Sequence, residues 1–265
     1  MESRNILFKG YNVLICGGTS GIGKATAIQF ADLGANVTIV SRNETKLIKI
    51  VGKLKHSNIQ NHQYIQSNFN YPNKVKNKIR THLKDGNKYH ILINNSGGPQ
   101  SGQLIDAYEE DFITAFKRHL ICNHILFKEL YPGMLHYKYG RIINIISTSV
   151  KEPIYGLGIS NTIRGAVASW AKTLSKEIAQ NSITVNNILP GFTETERLNY
   201  IIREKSTSQK LSVEKTSANM KKNVPSKRFG RPEEIANAII FLASPHSGYI
   251  NGVSLAVDGG RLSCI

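Results

Sequence analysis

No stretch of the 265 residues comes near the roughly 20 consecutive apolar residues of a membrane-spanning helix. Met1–Lys9 carry no apolar core of the kind a secretory signal needs. Cysteine is scarce. Cys16, Cys122 and Cys264 are widely spaced and odd in number, which gives neither a metal-ligand pattern nor a disulfide framework. No metal is expected, and the expected compartment is the cytoplasm. Acidic residues are outnumbered, 18 against 34 basic ones, for a formal net charge of +16. Yet the lysines are scattered (Lys46, Lys49, Lys53, Lys55, Lys74, Lys76, Lys78) rather than gathered in one block, and on helices such scatter marks a solvated face. This argues against nucleic acid as the main partner; a dinucleotide or an acyl carrier is equally anionic. Internal repeats, linkers and low-complexity tracts are also missing. The length suits one α/β domain spanning residues 1–265, with ordinary hydrophobic content for a chain that buries a core.

What is present is organised around Tyr11–Gly23. A short apolar run, Val13 to Cys16, stops at Gly17-Gly18, and Gly21-Ile22-Gly23 then opens a helical pattern. Buried strand, glycine-rich turn and helix, in that order, present backbone N–H groups and a helix N-terminus to a phosphate. The glycines supply φ freedom in the turn, close approach of a pyrophosphate and close packing of helix on strand.

Short apolar runs alternate with longer amphipathic stretches through the rest of the chain, which predicts βα units and a parallel sheet. Strands are expected at Asn36–Val40, His62–Gln66, Tyr89–Ile93, Arg141–Ile146, Ile183–Leu189 and Val253–Val257. Helices are expected at about Gly21–Leu33, Asn43–His56, from Pro72, at Glu109–Tyr131 (broken by Pro132-Gly133), Gly156–Gln180 and Pro232–Ala243. Phe192–Val224 reads as an irregular, polar, lysine-bearing segment just beyond a strand end. Ligands of open α/β sheets bind there, so this segment is either a lid over the site or a surface insertion.

Five ordered motifs then carry a resemblance. They are Gly17-x-x-x-Gly21-Ile22-Gly23, Asn94-Asn95-Ser96-Gly97, Gly140-Arg141-Ile142-Ile143-Asn144, Val185-Asn186 leading to Pro190-Gly191, and Arg231-Pro232-Glu233-Glu234 with Val257-Asp258-Gly259-Gly260. On these the chain resembles the short-chain dehydrogenases/reductases over nearly its whole length, most nearly those similar to 3-oxoacyl-acyl-carrier-protein reductases. The resemblance implies a doubly wound Rossmann fold, with a seven-stranded, mainly parallel sheet covered by helices on both faces. It also implies a nicotinamide cofactor, a small-molecule or acyl-thioester carbonyl substrate, and a homotetramer or homodimer. By the same resemblance, Gly17, Thr19, Ser20, Gly21, Ile22 and Gly23 form the pyrophosphate turn. Asn68 stands where an aspartate usually holds the adenine amine, Asn94, Ser96 and Gly97 flank the adenosine ribose, and Pro190, Gly191 and Thr195 meet the nicotinamide end.

Two further absences decide more. An NAD enzyme places a carboxylate at the end of the second strand for the ribose 2′-hydroxyl, and here the sequence is Val40-Ser41-Arg42-Asn43. Arg42 can stack on adenine and pair with a 2′-phosphate, so NADP(H) is favoured over NAD(H). The family's catalytic Asn, Ser, Tyr and Lys are mostly replaced. Ser147 matches the serine. Ser160 stands at the tyrosine position, Arg164 at the lysine position and His119 at the asparagine position, and no Tyr-x-x-x-Lys occurs anywhere in the chain. A serine hydroxyl is far less acidic than a phenol, and arginine stays protonated, so the pair can orient and charge-stabilise an oxyanion but makes a poor acid. Tyr155, Lys151 and His119 are the nearby residues that could donate a proton instead. The leading expectation is an NADP(H)-dependent oxidoreductase with an atypical proton donor; the rival is a dinucleotide-binding scaffold that has lost turnover.

Overall fold

The computed structural model describes residues 7–57 and 59–264; Met1–Ile6, part of the stretch read as free of a signal core, lie outside the described residues. The chain runs β1 (Asn12–Cys16), α1 (Gly21–Asp32), β2 (Asn36–Ser41), α2 (Glu44–Val51), β3 (Gln63–Gln66), α3 (Pro72–Lys84) and β4 (Ile91–Asn94). It continues with α4 (Glu109–Phe116), α5 (Cys122–Tyr137), β5 (Gly140–Ile145), α6 (Gly158–Ile178) and β6 (Ile183–Pro190). Last come α7 (Glu196–Gln209), α8 (Val213–Lys222), α9 (Pro232–Ala243) and β7 (Ser254–Val257). The sheet order is β3-β2-β1-β4-β5-β6-β7 with every neighbouring pair parallel, which is the Rossmann architecture.

The central strands are apolar on both faces because helices cover both. Alternation sorts their side chains between two cores. Ile15, Ile39 and Ile93 pack with Phe30 of α1 and Ile239 of α9. Leu14, Leu92 and Ile142 pack on the other face with Val75 of α3, Leu126 of α5 and Leu174 of α6. The chain leaves β1 towards β2 and later returns to β1's other side as β4, so the crevice at the strands' C-terminal ends opens where the order reverses.

One polar feature crosses this apolar sheet. Asn94, Asn144, Asn187 and Ser254 stand at one register level of β4 to β7. Asn94 Nδ2 donates to Asn144 Oδ1 (2.8 Å), Asn144 Nδ2 to Asn187 Oδ1 (2.9 Å), and Asn187 Nδ2 to Ser254 Oγ (3.1 Å). All three asparagines are buried, so each depends on the next for its hydrogen bonds.

Three helix expectations are corrected. The helix after β2 stops at Val51 rather than His56, because the chain turns at Gly52–Leu54 and carries Leu54 into the core. The long helix expected to break at Pro132 instead runs through it to Tyr137. Pro132 is exposed, so the carbonyl left without a partner one turn back can meet water, while buried Leu130 and Met134 hold the helix on the sheet. The real interruption is earlier, in a π-helical turn at Lys117–Ile121. Finally, Phe192–Val224 is not irregular: it forms α7 and α8, which enclose a small core of Leu198, Ile202, Met220 and Phe229 with Phe192 beside it. With two buried apolar residues in α7 (Leu198, Ile202) and one in α8 (Met220) among many polar ones, the pattern shows too little periodicity to read.

Candidate active site

The C-terminal ends of β1, β2, β4, β5 and β6 open onto one cleft of about 630 Å³, within the range of ligand pockets. Its floor is the glycine turn. Gly17 (φ +62°) and Gly21 (φ +51°) occupy the left-handed region that disfavours side chains. Gly23 does not line the cleft; a Cβ there would collide with the carbonyl of Gly17 and the amide of Asn95, so it serves the packing of α1 on the turn. Ser20, the residue capping α1, makes no side-chain bond to the helix, which leaves first-turn N–H groups free for an anion beside Thr19, Ser20 and Ile22.

At one end the wall is basic. Arg42 is exposed on it, with Lys46 one turn into α2. Asn68 Oδ1 accepts from the N–H of Asn70 (3.0 Å), so its amide nitrogen is the group left to face a ligand. Arg118, which the sequence reading did not single out, projects here from the π-helical turn and donates through Nε to Asn70 Oδ1 (2.8 Å). Burial, and then the charge of Arg42, lower the Arg118 pKa. Its position beside His119 was the only signal that could have marked it.

At the other end stand Ser147, Ser160 and Arg164. Ser147 Oγ accepts from the N–H of Ser149 (3.1 Å), leaving its own proton to donate into the cleft. Ser160 is buried on α6, one turn before Arg164, and both line the cleft. Arg164 Nη1 donates to the carbonyl of Ile145 (3.0 Å). Burial, and then the charge of Arg197, push its pKa down to about 10, so it is a fixed cation at neutral pH. Arg197, at the start of α7, donates through Nη2 to the carbonyl of Pro99 (2.6 Å). Pro190, Gly191 and Thr195 complete this wall, Thr195 also capping α7 by accepting from the N–H of Leu198.

Besides Gly23, two expected site residues lie elsewhere. Asn94 does not reach the cleft: its side chain is committed to Asn144 between the strands. The next residue, Asn95, faces the cleft instead and ties β4 to the turn by donating to the carbonyls of Cys16 (3.2 Å) and Gly17 (3.3 Å). His119 is also absent from the wall. It sits behind Ser96, its Nδ1 hydrogen-bonded to Ser96 Oγ at 2.7 Å, while Nε2 is buried without a partner among the described residues. Burial first, then the charges of Arg164 and Arg118, lower its pKa well below the usual histidine value, so it is neutral. Ser96 and Gly97 do line the cleft. Tyr155, 82% exposed, and Lys151, also exposed, do not.

Residues 17–261 match a family profile described as enoyl-(acyl carrier protein) reductase. Over 258 residues the chain is 34% identical to the 3-oxoacyl-[acyl-carrier-protein] reductase FabG of Rickettsia bellii, covering 96% of this chain and 97% of that protein. The fold superposes with a TM-score of 0.91 on the L-sorbose reductase of Gluconobacter frateurii, solved with NADPH and L-sorbose, at 27% identity and over 98% of this chain and 100% of that one. It superposes equally well, at 0.91 and 26% identity, on YwfH, an NADPH-dependent reductase of bacilysin biosynthesis, over 96% of this chain and 99% of that one. Among the described residues no helix is long and apolar enough to cross a membrane.

Proposed function

The chain belongs to the short-chain dehydrogenase/reductase family, and within it we propose an NADPH-dependent carbonyl reductase whose proton donor is not the family's tyrosine. The observation that carries this reading is a cleft with a complete cofactor half and a charged, tyrosine-free catalytic half. The glycine turn, with Gly17 and Gly21 at positive φ and an uncapped α1 N-terminus, fits a pyrophosphate. The basic end at Arg42, Lys46 and Arg118, with no acid at the end of β2, fits a 2′-phosphate rather than a free 2′-hydroxyl. The solved neighbours whose names mention NADPH agree with that choice.

When bound, NADPH supplies a hydride for the carbonyl carbon. The residues of this chain do the rest. Ser147 donates its hydroxyl proton as a hydrogen bond to the carbonyl oxygen and fixes the substrate's orientation. Arg164 places a permanent positive charge where the alkoxide develops, and Ser160 adds a second hydroxyl beside it. Among the described residues on this wall there is no tyrosine, lysine or histidine near Ser147; Lys46 belongs to the opposite, basic end. The alkoxide therefore takes its proton from solvent water that enters beside Arg164, and the hydroxide so formed passes back to bulk solvent. The α7–α8 segment, folded around its own small core at the cleft mouth, acts as the substrate lid of a single-domain protein. Assembly as a homotetramer is part of the same reading and follows the family.

NADPH oxidation against acetoacetyl thioesters, diketones, aldehydes, quinones and oxo acids, with cofactor binding followed by fluorescence, tests this. Turnover of at least one carbonyl, with NADPH preferred to NADH, is expected. Tight binding without turnover on any of them makes the protein a cofactor-binding scaffold, and no binding at all removes both readings.

A further inference from the structure

Arg164 and Arg197 come from different helices, α6 and α7, and converge on one point. A Cβ placed on Gly98 would sit 3.5 Å from Arg164 Nη2 and 3.9 Å from Arg197 Nε and Nη2, so the two guanidiniums flank the space that a side chain at this glycine would take. Neither is neutralised. The three ion pairs among the described residues are Arg80–Glu129, Arg228–Glu234 and Arg231–Glu234, and none involves this pair. Glu196, the one carboxylate on the cleft wall, is exposed and outside ion-pair distance of both. Each guanidinium has five N–H donors, and the protein occupies one on each, through the carbonyls of Ile145 and Pro99. Both side chains are partly exposed on the cleft wall, so two like charges stand side by side with most of their donors turned to the open cleft, where an anion can meet them.

Position identifies whose charge is missing. The pair lies with Ser147 and Ser160 beyond the end of β5, across the cleft from Arg42 at the end of β2, so the anion it awaits is not the 2′-phosphate. Building on the reductase reading, we infer that this cleft selects a carbonyl compound bearing its own carboxylate, a short oxo acid, held by Arg164 and Arg197. Two positive charges match the two negative centres of such a substrate at the moment of reduction: the carboxylate it brings and the alkoxide oxygen that forms. Planar guanidinium forks suit a carboxylate's two oxygens. A neutral thioester, diketone or sugar would leave Arg197 unanswered.

The test is calorimetric binding of acetoacetate, methyl acetoacetate and inorganic phosphate to the full chain, with and without NADP+, in wild type, Arg197→Met and Arg197→Lys. Arg197 is only partly buried, so these variants are expected to fold; unchanged melting temperature and NADP+ affinity verify that. The wild type is expected to bind acetoacetate at least about tenfold more tightly than its methyl ester, the loss of one charge-assisted contact. Arg197→Met erases that preference and Arg197→Lys keeps part of it. Equal binding of acid and ester, an unchanged preference in Arg197→Met, or phosphate binding more tightly than acetoacetate each overturns the inference. Turnover is measured separately: selective binding of the acid without reduction of any carbonyl refutes the reductase reading and leaves the anion site standing.

Discussion

Replacing Arg42 by alanine separates cofactor choice from cofactor binding. Arg42 is exposed at the rim of the cleft, so its pairing with a 2′-phosphate is partly screened. Opposite charges about 4 Å apart are worth roughly 1 kcal/mol in water and about 4 near a protein surface, and hydrogen bonds to charged groups measure about 1.5–3 kcal/mol. For an exposed arginine the lower part of that range applies, about 1.5 kcal/mol, or about tenfold in Kd for NADPH. NADH has no 2′-phosphate and loses only the stacking of guanidinium on adenine, about 0.5 kcal/mol or roughly twofold. The loss is not larger because Lys46 and Arg118 remain on the same wall. Arg118 is also relieved of a like charge when Arg42 goes, which partly offsets the deletion. Fluorescence titration of both cofactors into wild type and Arg42→Ala, at low and high ionic strength, reads the effect. Selectivity for NADPH should fall about fivefold at low salt and less at high salt, as screening weakens the wild-type contact. Equal losses for NADPH and NADH, or no salt dependence, would refute the assignment of Arg42 to the phosphate.

Other perturbations probe the chemistry and the scaffold. With no titrating side chain at the proton-donating end, kcat/KM should stay flat from about pH 6 to 9; a bell or a step in that window would identify a donor that the geometry does not show. Ser160→Tyr with Arg164→Lys installs the family pair, and at least a tenfold rise in kcat is expected from a positioned general acid, read by steady-state NADPH oxidation; a drop instead would show that the serine–arginine arrangement runs its own mechanism. Stability should fall on acidification. His90 Nδ1 accepts from the N–H of Asn12 (3.0 Å) and its ring stacks on Tyr137, and burial lowers its pKa to about 4. His62 Nδ1 likewise accepts from the N–H of Val37, with its pKa lowered mainly by burial. Between the unfolded histidine value of about 6.5 and the folded value of His90, only the unfolded chain takes up the proton, so stability declines as pH falls through that window and levels off below it. Thermal melts from pH 7 to 4.5 measure this, and His90→Asn should flatten the slope; an unchanged slope would remove His90 from the account.

The sheet was legible in the sequence because buried parallel strands are short apolar runs between helical patterns, and Val13–Cys16 or Ile183–Leu189 could be little else. The glycine turn, Arg42, Ser147, Ser160 and Arg164 were reachable because each sits at a fixed step from a strand end or motif. What could not be read has common causes. Pro132 counts as a helix breaker only where its neighbours lack a core to hold them, and Leu130 and Met134 have one. Asn94 and Asn95 are adjacent and chemically identical, and only strand register decides which one faces the cleft. His119 looked like a candidate acid because its spacing is right; its burial behind Ser96, which decides its charge, belongs to the folded state. Arg118 and Arg197 acquire meaning only from what the fold sets opposite them.

The asparagine row through β4, β5 and β6 has a mechanical consequence. The loops carrying Ser96–Pro99, Ser147 and Gly191–Thr195 all leave the sheet just above that row, so they start from a common floor whose height cannot be altered one strand at a time. Sliding β5 by a single residue would break both amide bonds of Asn144 and turn its side chain to the other face. Any motion that admits a ligand is thereby confined to what lies above the floor. On the lid reading, the segment to move is α7–α8, which folds around its own four-residue core and is joined to the rest through the backbone bonds Gly230 N–H to Phe192 (2.9 Å) and Glu194 N–H to Gly230 (2.9 Å) and through Arg197 Nη2 to the carbonyl of Pro99 (2.6 Å). Arg197 rides on that segment and Arg164 on the floor's side, so their separation is the coordinate along which the cleft would open and shut.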